Sequence, residues 1–390
     1  MMNKLKNKTI PLSEPFLCGN EWKYVKECFD TGWVSSSGKY VETFEKITSR
    51  YVGRKYGVAC ASCTAALHIS LILAGIGPED EVIMPVLTFV APANAVRYTG
   101  AYPVFMDVCL GTWQLDIEKV AVFLKKECRW GKDGLVNKHT RRKVKAILPV
   151  HVMGHPVDMD SLMDIAREYG LAVIEDAAES LGAEYRGKKV GRHGIFACLS
   201  FNGNKVITCG GGGMIVADDK ELAERARYLT TQAKDDPIEN IHGAVGYNYR
   251  LTNIQAAMGV AQMEQIERYI LKKRKIALLY RKGLEGIPGI IHQAENHGVM
   301  PSYWLYTVLI DNKLYGRDSR ALMSALKSNG IEARPFWHPL YSQKIFTDCY
   351  AYEIIAADRI YADGLSLPSS VNLSLQDQKR VIALIRSAQR

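Results

Sequence analysis

Two segments of the chain carry side chains suited to covalent and acid–base chemistry. Val173-Ile174-Glu175-Asp176 is an apolar run that ends on an acidic pair, and in open α/β sheets ligands bind at the end where a buried strand delivers such a side chain. Asp also caps helices, so Asp176 alone would need no further explanation. A second segment, Ser200-Phe201-Asn202-Gly203-Asn204-Lys205, leaves another apolar run and is followed by Gly210 to Gly213. A lysine set among small polar residues ahead of a glycine-rich turn is poorly explained as surface solvation. A third segment, Ala61-Ser62-Cys63-Thr64, precedes an apolar stretch starting at Ala65. A helix beginning there would offer unpaired N–H groups and a partial positive charge to an anion. An amine, a carboxylate and an anion cradle are what pyridoxal phosphate requires: a lysine for the Schiff base, an aspartate facing the pyridinium nitrogen, and donors for the phosphate. The carboxylate would keep the ring protonated and electron-withdrawing, and Lys205 could then shuttle a proton.

The same residues have rival uses. Cys60 and Cys63 have the C-x-x-C spacing, which suits redox chemistry or half a zinc site. The helix terminus that would hold a phosphate would also lower the Cys63 pKa, so redox use is the rival reading. No second C-x-x-C occurs, and Gly154 and Pro156 argue against a helix that would bring His151 and His155 to one face. No metal is expected. The glycine run fits neither G-x-x-x-x-G-K-[ST] nor G-x-G-x-x-G, which removes the usual nucleotide loops.

The elements that must position these residues alternate in type. Apolar runs at Tyr56 to Cys60, Glu81 to Pro85, Tyr102 to Val108, Val144 to His151, Leu171 to Glu175, Ile195 to Phe201 and Gly213 to Ala217 read as strands. Between them lie helical patterns such as Leu162 to Tyr169 and Lys220 to Leu229. Strands alternating with helices imply an α/β fold with a mostly parallel sheet covered on both faces. Past about Ala261 the pattern changes to a long charged helix, Gln262 to Leu284. A smaller α+β unit is expected after it, with a strand at Trp304 to Ile310, a helix at Ser319 to Ser328 and a last helix from Leu375. The expected division is residues 1–262 and 263–390.

In this order the motifs resemble the DegT/DnrJ/EryC1/StrS nucleotide-sugar aminotransferases over nearly the whole chain from Ile10. The matching stretches are Gly32 to Phe44, Ser62 to His68, Glu175 to Glu179, Ser200 to Lys205, Gly246 to Asn253 and Arg334-Pro335. The resemblance implies fold-type-I pyridoxal phosphate transferase (aspartate aminotransferase-like) architecture, a large domain with a mostly parallel seven-stranded sheet and a smaller C-terminal α+β domain. It implies Lys205 as the Schiff-base lysine, Asp176 as the pyridinium partner, Glu179 near the ring hydroxyl and Phe89 stacking on the ring. Thr64, Ser200 and the amide of Cys63 match phosphate ligands. Asn248 matches a phosphate ligand given by the other subunit, which implies an obligate homodimer with shared sites. Family members that dehydrate carry histidine at the lysine position; Lys205 therefore points to transamination, with L-glutamate as amine donor and a nucleotide-linked 4-keto-6-deoxy sugar as acceptor. Ser62-Cys63 stands where many members have Asn-Gly, and Gly210 to Gly213 where many have Gly-Glu-Gly-Gly. Asn202-Gly203-Asn204, the glycine run and Thr230 to Lys234 are most similar to the branch making UDP-linked 4-amino sugars for bacillosamine and legionaminic acid. The GDP-perosamine synthases are next, through Ser302 to Leu305 and Gly32 to Tyr40. His338, Arg334 and His151 are expected to contact sugar or diphosphate.

Composition fits a folded, soluble protein of one or two domains and excludes a disordered or collagenous chain: 390 residues, 47% apolar and 23% charged. No run is long enough to span a membrane and no signal segment follows the start. Nine scattered cysteines point to a reducing, cytoplasmic location. The net charge of +9 could suggest nucleic acid, but Lys125 to Lys145 alone carries +7. The excess basicity is one insertion, Cys128 to Arg142, expected as a solvated loop, with steering of an anionic substrate as the alternative. No nucleic-acid partner is expected.

Overall fold

The computed structural model describes residues 9–236 and 238–389. Seven strands form the spine of its main sheet: β1 (Tyr56–Cys60), β2 (Asp80–Pro85), β3 (Tyr102–Met106), β4 (Lys143–Ile147), β5 (Ala172–Asp176), β6 (Phe196–Ser200) and β7 (Gly213–Ala217). Their spatial order is β1-β7-β6-β5-β4-β2-β3. All neighbours are parallel except those of β7, which runs antiparallel to both β1 and β6. The strands are almost wholly buried, as expected where helices cover both faces. The helix Cys63–Leu73 buries eight of its eleven residues and exposes none fully, which explains why its sequence is apolar on all sides rather than striped.

Two additions bring the sheet to ten strands. Tyr350–Tyr352 pairs parallel to β3. The strands Cys128–Gly131 and Gly134–Asn137 form a hairpin whose second strand pairs with β4 through Val136 and Lys143. The segment expected as a solvated loop is thus a hairpin continuing the sheet. Cys128, Leu135 and Asn137 are buried, and Asn137 Nδ2 donates to Glu81 Oε2 at 2.9 Å. Arg142 pairs with Glu79 at 3.0 Å and stacks its guanidinium 3.4 Å from the Tyr102 ring centroid. Because Lys143 opens β4, the hairpin lies at the amino edge of the parallel strands, whereas Asp176 closes β5 at the carboxyl edge. Its charge is on the wrong edge to guide a ligand toward Asp176.

The long helix expected from Gln262 to Leu284 is two helices, Asn253–Met263 and Ile266–Leu284, broken at Glu264 and Gln265. The first starts on a capping box, with Thr252 accepting from Gln255 N and Gln255 reaching back. Asn253 then ties down the polar loop at 35–38: its amide N–H donates to Ser35 O, and its side chain accepts from Tyr40 N and donates to Trp33 O. Beyond this point an antiparallel sheet forms in the order Ile290–His292, Tyr306–Ile310, Gly364–Leu367, Arg334–Pro335. The helices Ile266–Leu284, Ser319–Ser328 and Leu375–Ser387 pack with it. Two short segments cross the expected division of the chain: Tyr350–Tyr352 returns to the main sheet, and Ile10 bridges to Ile331. Among the described residues no helix is long and apolar enough to cross a membrane.

Candidate active site

Adjacent acids at the end of β5 have opposite fates because strand side chains alternate. Glu175 is fully buried and accepts N–H bonds from Gly191, His193 and Gly194 at 2.7–3.0 Å. Burial alone would raise its pKa, but the hydrogen bond from His151 and the nearby histidines outweigh it and hold the carboxyl well below its ordinary value. Asp176 faces a cavity of about 850 Å³ instead. Among the described residues its donors are Ala178 N, 3.0 Å from Oδ1, and the weakly donating Cys63 thiol, 4.0 Å from the same oxygen, and it forms no ion pair. Burial raises its pKa, against the opposing pull of Ala178 N, Lys205 and His151. A buried carboxylate with so little compensation is costly on its own and is suited to receive a cationic ring.

Lys205 reaches the same cavity from the turn after β6. Its side chain is 14% exposed, with Nζ 3.4 Å from Glu179 Oε1 and 3.9 Å from the Trp304 ring centroid. Burial pushes the Glu179 carboxyl up to about 7, with the Lys205 charge opposing. Its other oxygen accepts Met153 N at 2.8 Å, which pins the left-handed backbone of Met153 (φ 58°).

The anion cradle is built at the meeting of β1, β7 and the helix Cys63–Leu73. Ser62 caps that helix by accepting Ala65 N at 3.1 Å, and the amides of Cys63 and Thr64, first in the helix, have no intrahelical acceptor. Gly213 pairs with Cys60 across β1 and β7, and a Cβ at that position would lie 2.4 Å from both Cys63 N and Ser62 C. Only glycine lets the strand come this close to the helix start. Thr64, Ser200, Phe89 and Cys63 all line the cavity, with Phe89 54% exposed at 6.5 Å from the Trp337 ring. Helix amides and hydroxyls for a phosphate, a buried carboxylate that forms no ion pair among the described residues, and an amine nearby make a donor set that fits pyridoxal phosphate. Bound there, the cofactor supplies an aldehyde to capture an amine and an electron-withdrawing ring that eases proton loss.

The structure brings Lys205, Asp176, Glu179, Cys63, Thr64, Phe89, Ser200 and Arg334 to one cavity. It does not bring His151, whose side chain is fully buried outside it: Nδ1 accepts Val157 N at 3.1 Å and Nε2 faces Glu175 at 3.3 Å. Both ring nitrogens are engaged in the fold, which leaves none for a substrate. His338 likewise lies outside the lining, its Nδ1 3.0 Å from Ser342 Oγ and its ring against Tyr361. Asn248 is exposed, away from the cavity of its own chain. Redox use of Cys60 and Cys63 is disfavoured. Both are free, and burial pushes the Cys60 thiol up to about 12 and raises that of Cys63, where the Asp176 charge adds to the effect. The lowering expected from the helix terminus is overridden. Among the described residues no cluster could hold a metal ion. Sequence reasoning missed Trp304 and Trp337, two cavity-lining rings stacked at 6.1 Å and 17°; Trp304 reads as the start of a strand, and nothing in its spacing marks a site.

This fold and this constellation define a pyridoxal phosphate-dependent aminotransferase. The chain belongs to the DegT/DnrJ/EryC1/StrS aminotransferase family, whose profile matches residues 17–386. It is 39% identical over 379 residues, 96% of this chain and 97% of the relative, to a GDP-perosamine synthase from Caulobacter vibrioides. A protein of the same name from Escherichia coli O157:H7 is 37% identical over 367 residues, 94% and 95% of the two chains. Among solved structures, a DegT DnrJ EryC1 StrS aminotransferase from Brucella abortus superposes with a TM-score of 0.85 at 27% identity, covering 95% of each chain. The protein is thus an aminotransferase of the nucleotide-sugar class.

Proposed function

We propose that this protein moves the amino group of L-glutamate to C4 of GDP-4-keto-6-deoxymannose, the reaction of a GDP-perosamine synthase. The UDP-linked N-acetyl sugar that the sequence motifs favour gives way to its alternative. The observation that carries the choice is the similarity, over more than nine-tenths of the chain, to proteins named GDP-perosamine synthase. In this reading Asp176 holds its charge toward the ring nitrogen, and the Cys63 and Thr64 amides with Ser200 hold the phosphate. Lys205 Nζ takes up and returns the proton that moves between carbons. Glu179 Oε1, 3.4 Å away, exchanges that proton with it, since a carboxyl pushed up to about 7 can both hold and release one near neutrality. Arg334, exposed on the cavity lining, offers a guanidinium to the diphosphate. The working unit is a homodimer in which Asn248 completes the partner's site, with residues 263–390 as the small domain.

The test separates the sugars. Protein loaded with pyridoxal phosphate is bleached with glutamate, then given GDP-4-keto-6-deoxymannose or a UDP-linked N-acetyl 4-keto-6-deoxyhexosamine. Recovery of the yellow band and an amino sugar by mass spectrometry are expected with the GDP sugar, at least about tenfold faster than with the UDP sugar. Amination of the UDP sugar alone overturns the assignment.

A further inference from the structure

The Lys205 amine meets a second group that no part of the reading above uses. Its Nζ lies over the face of Trp304, 3.9 Å from the ring centroid, as well as beside Glu179. Trp304 is buried and held at three points. Its indole N–H donates to Asn204 O at 2.7 Å, on the residue next to Lys205 in the chain. Its ring stacks on Trp337. Its backbone carbonyl accepts from Lys273 Nζ at 2.8 Å, a buried lysine whose only other partner among the described residues is Ser369 O. A ring so fixed presents its negative face to one place, and that place holds the amine.

We propose that Trp304 is a positioning residue for Lys205: its ring face holds the ammonium in register while Nζ is not covalently engaged, and its N–H bond to Asn204 ties that face to the segment carrying the lysine. The inference rests on Lys205 being the reactive amine, as proposed above. Physically, an aromatic face attracts the cation more strongly when water is excluded, and a buried Trp is satisfied only if its N–H finds an acceptor; both conditions are met here. The long, flexible lysine stem would otherwise sample several rotamers in a cavity of about 850 Å³. Confining it to one keeps the amine where a proton must be delivered, a placement on which rates depend steeply. Glu179 and Trp304 act on the same ammonium in complementary ways: the first can take its proton, whereas the second can only attract its charge.

The experiment uses cofactor-free full-length protein, so it does not depend on turnover. Trace acetic anhydride labelling at a fixed neutral pH, read by mass spectrometry, gives the reactivity of each lysine amine. In Trp304→Leu, which fills much of the space without a π face, Lys205 labelling is expected to rise about fivefold. In Trp304→Phe, which restores a face without the N–H, it is expected to stay within about twofold of wild type. Lys273 reports on packing: it bonds the backbone at 304, which both variants retain, and its labelling should not change. The proposal is overturned if Lys205 labels alike in all three proteins, or if Lys273 labelling rises in step with Lys205, since that would be local loosening. Separately, borohydride treatment of pyridoxal phosphate-loaded wild type should fix the pyridoxyl group on Lys205. If it fixes elsewhere, the parent reading fails first and this inference with it; if it fixes on Lys205 while the labelling pattern is flat, only this inference fails.

Discussion

Glu179 shows how one buried side chain can serve the site at a cost to the fold. Its ordinary pKa is 4.5 and burial lifts it to about 7, so the folded protein binds this proton more tightly than the unfolded chain does. The contribution to stability is full below about 4.5 and is lost as pH rises through about 7. Glu179→Gln keeps an oxygen for Met153 N and has no proton to lose. In cofactor-free protein, the stability of wild type relative to this variant should fall by about 2–3 kcal/mol between pH 5 and pH 8. Urea unfolding at the two pH values measures it, and a difference that does not change with pH would show that the carboxyl is not held protonated by burial. Lys205 and Asp176 were legible from sequence because each closes a segment whose composition makes no sense as surface. Trp304 was not, since an aromatic residue ahead of a strand looks like core until the lysine is placed against its face. His151 misled for a related reason: a histidine after an apolar run looks available, and only the fold shows Val157 and Glu175 occupying its two nitrogens.

At the scale of elements the site depends on how closely β7 approaches the start of the helix Cys63–Leu73. Ser62 supplies the cap and Gly213 the clearance. Gly213→Ala would drive a methyl to 2.4 Å from backbone atoms of Ser62 and Cys63, and neither can yield without moving the amides that form the cradle. It should lower stability by about 1–3 kcal/mol and weaken pyridoxal phosphate binding by at least about tenfold, read by thermal unfolding and by titration of the cofactor absorbance. Ser62→Ala, which removes the cap alone, is expected to cost about 1 kcal/mol. Full cofactor affinity in Gly213→Ala would place the phosphate elsewhere. The strands that build this corner were readable end to end: Tyr56–Cys60 and Gly213–Ala217 are apolar runs bounded by turn residues. The hairpin at 128–137 was not, because its strands have four residues each and one edge of hydrogen bonds to β4 decides their conformation. The break at Glu264–Gln265 was also hidden, since neither glycine nor proline marks it and the helical periodicity continues through.

The whole molecule is completed only by a second copy, if Asn248 does what its family resemblance implies. In its own chain Asn248 is exposed, with its backbone bridged to Thr231 and its side chain away from the cavity. A shared site of this kind is reciprocal under two-fold symmetry: each subunit gives its lysine to one site and its asparagine to the other. That makes a mixing experiment decisive. Lys205→Ala and Asn248→Ala should each be severely impaired alone, the first without its amine and the second with a weakened phosphate hold in both sites. When they are unfolded and refolded together, about half of the dimers are mixed by random pairing. In each mixed dimer one site carries both defects, whereas the other takes Lys205 from one subunit and Asn248 from its partner and is intact. Activity should therefore return to about a quarter of the wild-type value per subunit. If the mixture shows only the average of its two components, Asn248 acts within its own chain or not at all. A result near a quarter would assign the residue to the partner's phosphate site, a role that its exposed position in the single chain gives no other way to see.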